Sequence, residues 1–232
     1  STGYSKYIDV NSFIDLYIIN ELSKNIDGYR LSTYMYKDRD DNGGKLTMGP
    51  FWDYNLAFGN ADYCDGGITS GWEVNSGCGD DNPFWFERLL EDTNYQNKLK
   101  CRWEYLRQRS FHQDSIFNFI DSVSNYLQDA QLRNFQKWPI LGNYVWPNYY
   151  VGNTYQEELI FLKNWISDRL SWIDNNLTGN CYVITNTDNV SNLSRKLIMV
   201  VDVLGRKTNQ KKNQPLFYIY DDGTVEKRIT ID

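Results

Sequence analysis

Asp27 and Asp53 are the acids whose surroundings suggest chemistry. Asp27 lies in LSKNIDGYR, at the C-terminal end of a helical stretch, and Asp53 lies in MGPFWDYNLAFG, just past a hairpin signal. A helix end, a hairpin and an aromatic-flanked acid can bring two carboxylates to the floor of one cleft. With Asn25, Asn55 and Asn60 nearby, they offer hard oxygen ligands of the type that magnesium and manganese select. Phosphoryl transfer needs such a site, because its catalysis is mostly positioning plus charge neutralisation by metal. On spacing alone, solvated acids or helix caps are the plainer alternative.

Other chemistries have less support. Asp38, Asp40, Asn42 and Gly43 follow the D-x-D-x-N-G spacing of a calcium loop, but the twelfth position, where a bidentate Glu belongs, is Gly49. A polar hairpin turn is the expectation there. The single histidine, His112 in QRSFHQD, excludes a multi-His metal site and reads as a surface or capping residue. Glycoside hydrolysis needs two carboxyls flanking a sugar groove, and nothing in the spacing prefers it. The eight tryptophans sit mostly within helix stripes or beside prolines, where core packing is the expected role.

Composition sets the frame. A chain of 232 residues, 41% hydrophobic and 23% charged, can bury a core of one large domain or one domain with an appendage. Its net charge of -6 argues against nucleic-acid binding through a basic footprint. No apolar run approaches the 18 or so residues needed to cross a bilayer. Residues 1–179 hold 16 basic and 24 acidic side chains and every tryptophan, whereas residues 180–232 hold 8 basic and 6 acidic. Two units are expected, with a boundary near 180.

The elements that must position the acids follow from periodicity. Ile14, Ile18, Leu22 and Ile26 predict a buried helix over Ser12–Ile26, capped by Asn11 or Ser12. LSTYMYKD, the turn RDDNGG and KLTMG predict a hairpin over residues 30–49. From Pro83 to Leu177 the pattern is helical, with Ile116, Phe119, Ile120, Val123, Leu127 and Ala130 on one stripe and a capping box at Thr154 and Glu157. KWPILGNYVWPNYYVGN reads as a packed aromatic loop. After Gly179 the strands CYVIT, KLIMVVDVLG, LFYIY and VEKRITI follow, with DDG as a hairpin turn. Cys64 and Cys78 bracket a Gly- and Asp-rich loop that a bridge between them would close; Cys101 and Cys181 complete four cysteines, which allow three pairings. No signal peptide opens the chain, and a start directly before a helix suggests a piece of a longer protein.

The stretch NELSKNIDGYRLSTYMYKDRDDNGGKLTMGPFWDYNLAFGNADYC, followed by PFWFERLLED, LKCRWEYLR, RNFQKWPILG and YVWPN, resembles the CotH family of atypical, secreted protein kinases. The likeness covers about residues 8–177. It implies an α+β body, a helix-rich kinase-like C-terminal lobe (residues 1–179) whose β-hairpin carries the metal-site segment, without its N-terminal lobe. It implies transfer of the γ-phosphate of ATP, the co-substrate, to Ser or Thr of exported proteins, with Mg2+ or Mn2+ as cofactor. Asp53 matches the metal-binding acid that plays the part of the DFG aspartate; Asp27 matches the second acid, orienting the acceptor or holding a metal; Asn25 and Asn55 are helpers toward the cofactor. Asn55 stands where many members carry a second Asp, so one ligand charge is lost.

The tail, residues 180–232, resembles the C-terminal sorting domain of the type IX secretion route, through KLIMVVDVLGRK and PLFYIYDDGTVEKRITI. That implies a small all-β sandwich, recognition by the type IX machinery, and a secreted or cell-surface location after outer-membrane passage in a Gram-negative bacterium. The rival reading is a non-catalytic pseudokinase, or an adhesion or glycan-binding module of the same fold, which would show exposed tryptophans around a groove.

Overall fold

Asp9, not Asn11 or Ser12, starts the first helix. Its Oδ1 accepts the backbone N–H groups of Asn11 (3.0 Å) and Ser12 (3.4 Å), closing two of the orphan donors of a helix N-terminus. Helix α1 then spans Val10–Ser23. It stops short of the predicted Ile26 because Lys24 adopts a left-handed backbone, φ 47°, and returns its N–H to the last turn. Phe13, Ile14, Tyr17, Ile18 and Leu22 are buried and form the centre of the core, and Ile26 is buried beyond the helix end.

The computed structural model describes residues 3–76, 82–181, 197–202, 205–208, 214–220 and 225–228. The chain divides into two units, Ser1–Tyr182 and Val183–Asp232.

In the first unit, strands β1 (Met35–Lys37) and β2 (Leu46–Met48) pair antiparallel, Met35 opposite Met48. The calcium-like spacing falls on the turn between them. There Lys37 pairs with Asp40 at 2.6 Å, Arg39 with Asp41 at 2.8 Å, and Asn42 donates to Asp38. These acids are engaged by their neighbours in a polar turn.

Five helices follow: α2 (Trp85–Leu90), α3 (Thr93–Arg107), α4 (Gln113–Tyr126), α5 (Gln128–Lys137) and α6 (Tyr155–Asn176). His112 caps α4, its Nδ1 accepting the Asp114 N–H at 3.3 Å. At α6, Thr154 Oγ1 accepts the Glu157 N–H, while the Glu157 carboxylate reaches back to the N–H of Asn153, one residue further than a capping box requires. The predicted stripe through Ala130 breaks at Leu127, where α4 gives way to α5. Ile116 and Ile120 pack against the core, but Phe119 and Val123 are exposed. Tryptophan behaves unevenly too. Trp103 and Trp165 are buried, while Trp52, Trp138 and Trp146 are 57%, 58% and 69% exposed, contrary to the core-packing expectation for them.

Side chains, not secondary structure, hold the segment 67–71. Trp165 Nε1 donates to Gly67 O at 2.9 Å, Lys24 Nζ to Ile68 O and Ser70 O at 3.0 and 2.8 Å, and Arg169 Nη1 to Thr69 O and Gly71 O at 2.8 and 2.7 Å. Five successive carbonyls that have no ladder partner are thereby satisfied. The segment leads to Glu73 and Val74, whose N–H groups are accepted by the buried Glu21 carboxylate at 2.8 and 2.9 Å.

A disulfide joins Cys101 on α3 to Cys181, 80 residues on. The chain after α6 lies against α3: Asn180 N–H donates to Asn97 Oδ1, and Gly179, at φ +104°, leaves no room for a Cβ, which would sit 2.5 Å from Gln96 O. Cys64 is also disulfide-bonded; its expected partner, Cys78, lies outside the described residues. Cys181→Ser is expected to destabilise the first unit by about 2–4 kcal/mol through regained freedom of the unfolded chain. Denaturant titration reads this as a lower midpoint, and a midpoint equal to the wild type would contradict it.

In the second unit, β3 (Leu197–Val201), β4 (Leu216–Tyr220) and β5 (Val225–Arg228) form one antiparallel sheet in that order. Leu216, Tyr218 and Tyr220 alternate onto a buried face against Val200. Asp202 and Arg206 close a turn: the Arg206 N–H donates to Asp202 Oδ1 at 3.0 Å, its Nε donates to Oδ2 at 2.9 Å, and Gly205 takes φ 74°. The described residues give a three-stranded sheet, not the two sheets of the expected sandwich. The predicted strand CYVIT and the DDG turn lie outside them, apart from Cys181.

Candidate functional site

The left-handed Lys24 turns the chain out of α1 and into Asn25–Gly28, the segment that carries Asp27. Lys24 itself is 2% exposed with its ammonium held by two carbonyls. Burial, followed by the repulsion of Arg169, pushes its pKa down against the attraction of Glu73, Asp65 and Glu21. It is a structural cation, not one free to reach a phosphate.

Two wholly buried asparagines bind the acid-bearing segments together. Asn25 accepts the Asp27 N–H on Oδ1 at 3.3 Å and donates from Nδ2 to Asp53 O at 3.3 Å. Asn20, one turn earlier, donates to Gly28 O at 2.6 Å and accepts the Tyr54 hydroxyl at 2.8 Å. Each amide therefore has one end on residues 27–28 and the other on residues 53–54. Both are 0% exposed, where an unsatisfied amide costs about 1–3 kcal/mol. A third link is Phe58 N–H to Ser23 O at 2.6 Å, and a fourth runs through Ser32. Its N–H donates to Asp27 O at 2.9 Å and its hydroxyl approaches Asp53 Oδ2 at 3.5 Å.

The two carboxylates are left open by this scaffold. Among the described residues, the one ion pair of the Asp27 side chain is with Arg30, at 3.8 Å, and the one hydrogen bond of the Asp53 side chain is the long contact from Ser32. Asp9 and Asp92, by contrast, cap helices, and Asp15 and Asp174 pair with Arg102 and Arg107. Asp53 is exposed and sits at φ 64°. Such a backbone is uncommon for a residue with a Cβ, and Asp and Asn tolerate it best. Asn55 is exposed; its carbonyl accepts Asn60 Nδ2 at 2.8 Å and its own amide has no partner among the described residues.

Aromatic side chains flank the acids. Tyr63 stacks parallel to Trp146 with ring centres 6.0 Å apart. Burial and the nearby Asp27 carboxylate raise its pKa, with Arg30 opposing. Trp52, next to Asp53, meets Tyr34 edge to face at 6.3 Å. The aromatic loop is anchored here as well: Tyr149 N–H donates to Asn60 O and Asp62 N–H to Pro147 O.

Among the described residues no group of three or more acidic, histidine or cysteine side chains forms a metal cage. Two open carboxylates nonetheless fit magnesium, which keeps several waters and is usually held by one or two carboxylates together with substrate phosphates. Asp27, Asp53, Asn25 and Asn55 were candidates by sequence; around them the structure adds Asn20, Ser32 and Tyr63. Asn20 was legible as a polar residue within the apolar run of α1.

A second carboxylate cluster lies in the core and has a different character. Glu73 is 2% exposed; its Oε1 accepts Ser76 Oγ at 2.5 Å and its Oε2 has no partner among the described residues. Burial, and then the Glu21 charge, push its pKa up to about 7, against Ser76, Lys24 and Arg169. The folded state therefore keeps a proton that the unfolded chain releases near 4.5, and stability falls as pH rises from about 4.5 to 7, by as much as about 3 kcal/mol. Glu73→Gln is expected to flatten this slope and to stabilise the protein at pH 8. Melting curves between pH 4.5 and 8 check it, and an unchanged slope in the variant contradicts it.

The family model described as CotH kinase protein matches residues 1–173. No curated protein and no solved structure matches the chain.

Proposed function

From the premise that this chain belongs to the CotH kinase family, we propose that Asp27 and Asp53 form the metal and phosphoryl-transfer site of a protein kinase. The family implies ATP as phosphoryl donor and a protein as acceptor. The observation that carries the reading is the pair of buried asparagines, which fixes two open carboxylate segments against each other. Phosphoryl transfer asks for such positioning more than for covalent chemistry by the protein.

Asp53 would hold Mg2+ or Mn2+, with Asn55 beside it as a neutral oxygen donor. When bound, the ion supplies neutralisation of phosphate charge. Asp27 orients the Ser or Thr hydroxyl of the acceptor and receives its proton. Asn25 contributes from behind, through the backbone of both acids. Arg30, 3.8 Å from Asp27, sets a positive charge beside that carboxylate. The exposed Trp52 and the Tyr63–Trp146 pair offer apolar faces for the nucleotide or the acceptor chain.

Export supports the same reading. The Cys101–Cys181 bridge suits an oxidising compartment, and no helix among the described residues is long and apolar enough to cross a membrane. The second unit would serve as the type IX sorting domain, a role that rests on the resemblance of its sequence. In a host with that route, the full chain is expected outside the outer membrane. A variant lacking 183–232 should stay in the periplasm, and equal export of both would remove the sorting role.

The catalytic reading is tested by phosphate transfer from radiolabelled ATP to a secreted-protein fraction, with manganese present. Incorporation that survives Asp53→Asn at the wild-type rate would overturn it.

A further inference from the structure

Between α4–α5 and the start of α6 lies a cleft of about 620 Å³. Twelve residues line it and none is charged, in a chain where 23% of residues are. The charges of α5 are present but lie elsewhere: Asp129, Arg133 and Lys137 recur every four residues, and none of them lines the cleft. Six carboxamides do, from Asn125, Gln128, Gln131, Gln136, Asn153 and Gln156; Asn153 donates to Glu157 at 3.3 Å, and the other five side chains bond to no other described residue. Two rings complete the lining, Phe135 and Tyr155, with centres 6.1 Å apart and planes inclined at 46°.

We propose that this cleft binds a neutral oligosaccharide. A carboxamide presents a donor and an acceptor in one plane, which suits vicinal hydroxyls that each donate and accept. Ring faces suit the C–H surface of a pyranose. The absence of lining charge disfavours acidic and basic ligands. The N-terminus of α6 does not attract anions either, because Glu157 and Glu158 already occupy the N–H groups of Asn153 and Gly152 at 2.8 and 2.6 Å. An extended peptide is a weaker match, since the walls are mostly helical and offer no strand edge among the described residues to extend. The size is that of a ligand site, and the lining mixes the apolar Leu132, Phe135 and Leu141 with the carboxamides. This site stands apart from the acid pair and does not depend on the kinase reading.

The test is calorimetric titration of the full chain, without nucleotide, with cellohexaose, chitohexaose and mannohexaose. At least one is expected to bind with a dissociation constant of about 1 mM or tighter. The double variant Gln128→Ala/Gln131→Ala should weaken that binding about tenfold or more. Alanine favours the helix, so its circular dichroism and melting temperature should match the wild type. Phe135→Leu, which removes the ring but keeps an apolar side chain, should weaken binding similarly. No heat from any of the three sugars up to about 10 mM would overturn the proposal. So would equal affinity in the double variant, or displacement of the sugar by a neutral Ser/Gln peptide that binds more tightly.

Discussion

Arg169→Ala is expected to cost the first unit about 3–5 kcal/mol, enough to leave much of it unfolded at ordinary temperature. Arg169 is 0% exposed and donates to Glu21 O at 2.7 Å, Thr69 O at 2.8 Å, Gly71 O at 2.7 Å and Glu21 Oε2 at 3.2 Å. It also lies over Trp172, 4.9 Å from the ring centre. Burial disfavours both charges, pushing the Glu21 carboxyl up and the guanidinium down, while each opposes the other's shift by attraction. Removing the cation leaves Glu21 charged in the core and strips two carbonyls of the 67–71 segment. Arg169→Lys should recover only part of the loss, since one ammonium cannot span the four acceptors a planar fork reaches. Urea titration measures this directly. A loss below about 1 kcal/mol would mean that the pair behaves like a surface ion pair and the segment holds itself.

The second large effect falls on catalysis. Asp27→Asn is expected to lower the rate of phosphate transfer by about 10²–10⁴, the usual contribution of a positioned acid–base group. It should leave the stabilisation by manganese and ATP nearly intact, because Asp53 is the acid assigned to the metal. If Asp27 held a second ion instead, both the rate and the stabilisation would fall together. Asn is the better substitution at both acids. At Asp53 in particular, with φ 64°, alanine would add backbone strain of about 1 kcal/mol and blur the reading.

The candidate acids stood out because their sequence neighbours are distinctive: a helix end before Asp27, and an aromatic-flanked acid after a hairpin at Asp53. What holds them was harder to read. Asn25 reaches the backbone of Asp53 and Asn20 the hydroxyl of Tyr54, each some thirty positions away, and no local periodicity records such a contact. Lys24 and Arg169 look like ordinary surface charges by type. Arg169 nonetheless falls among Trp165, Ile166, Leu170 and Ile173, the buried face of α6, and its place in that apolar pattern was a usable signal. Helix α1 ended early for a reason invisible to hydrophobic spacing, since Ile26 keeps its place in the core without being helical. The exposed Phe119 and Val123 failed in the opposite way: amphipathic spacing predicts a covered face, and α4 has no buried residue.

The central claim is that Asp53 anchors a metal–nucleotide site, and thermal unfolding with and without manganese and ATP tests it most directly. The wild-type chain is expected to gain about 2.7 kcal/mol at a hundredfold excess over the dissociation constant, seen as a higher melting temperature that needs both ligands. Asp53→Asn should melt at the wild-type temperature without ligands and show no gain with them. A gain of equal size in Asp53→Asn, or none in the wild type, would contradict the claim and leave the fold as a non-catalytic scaffold.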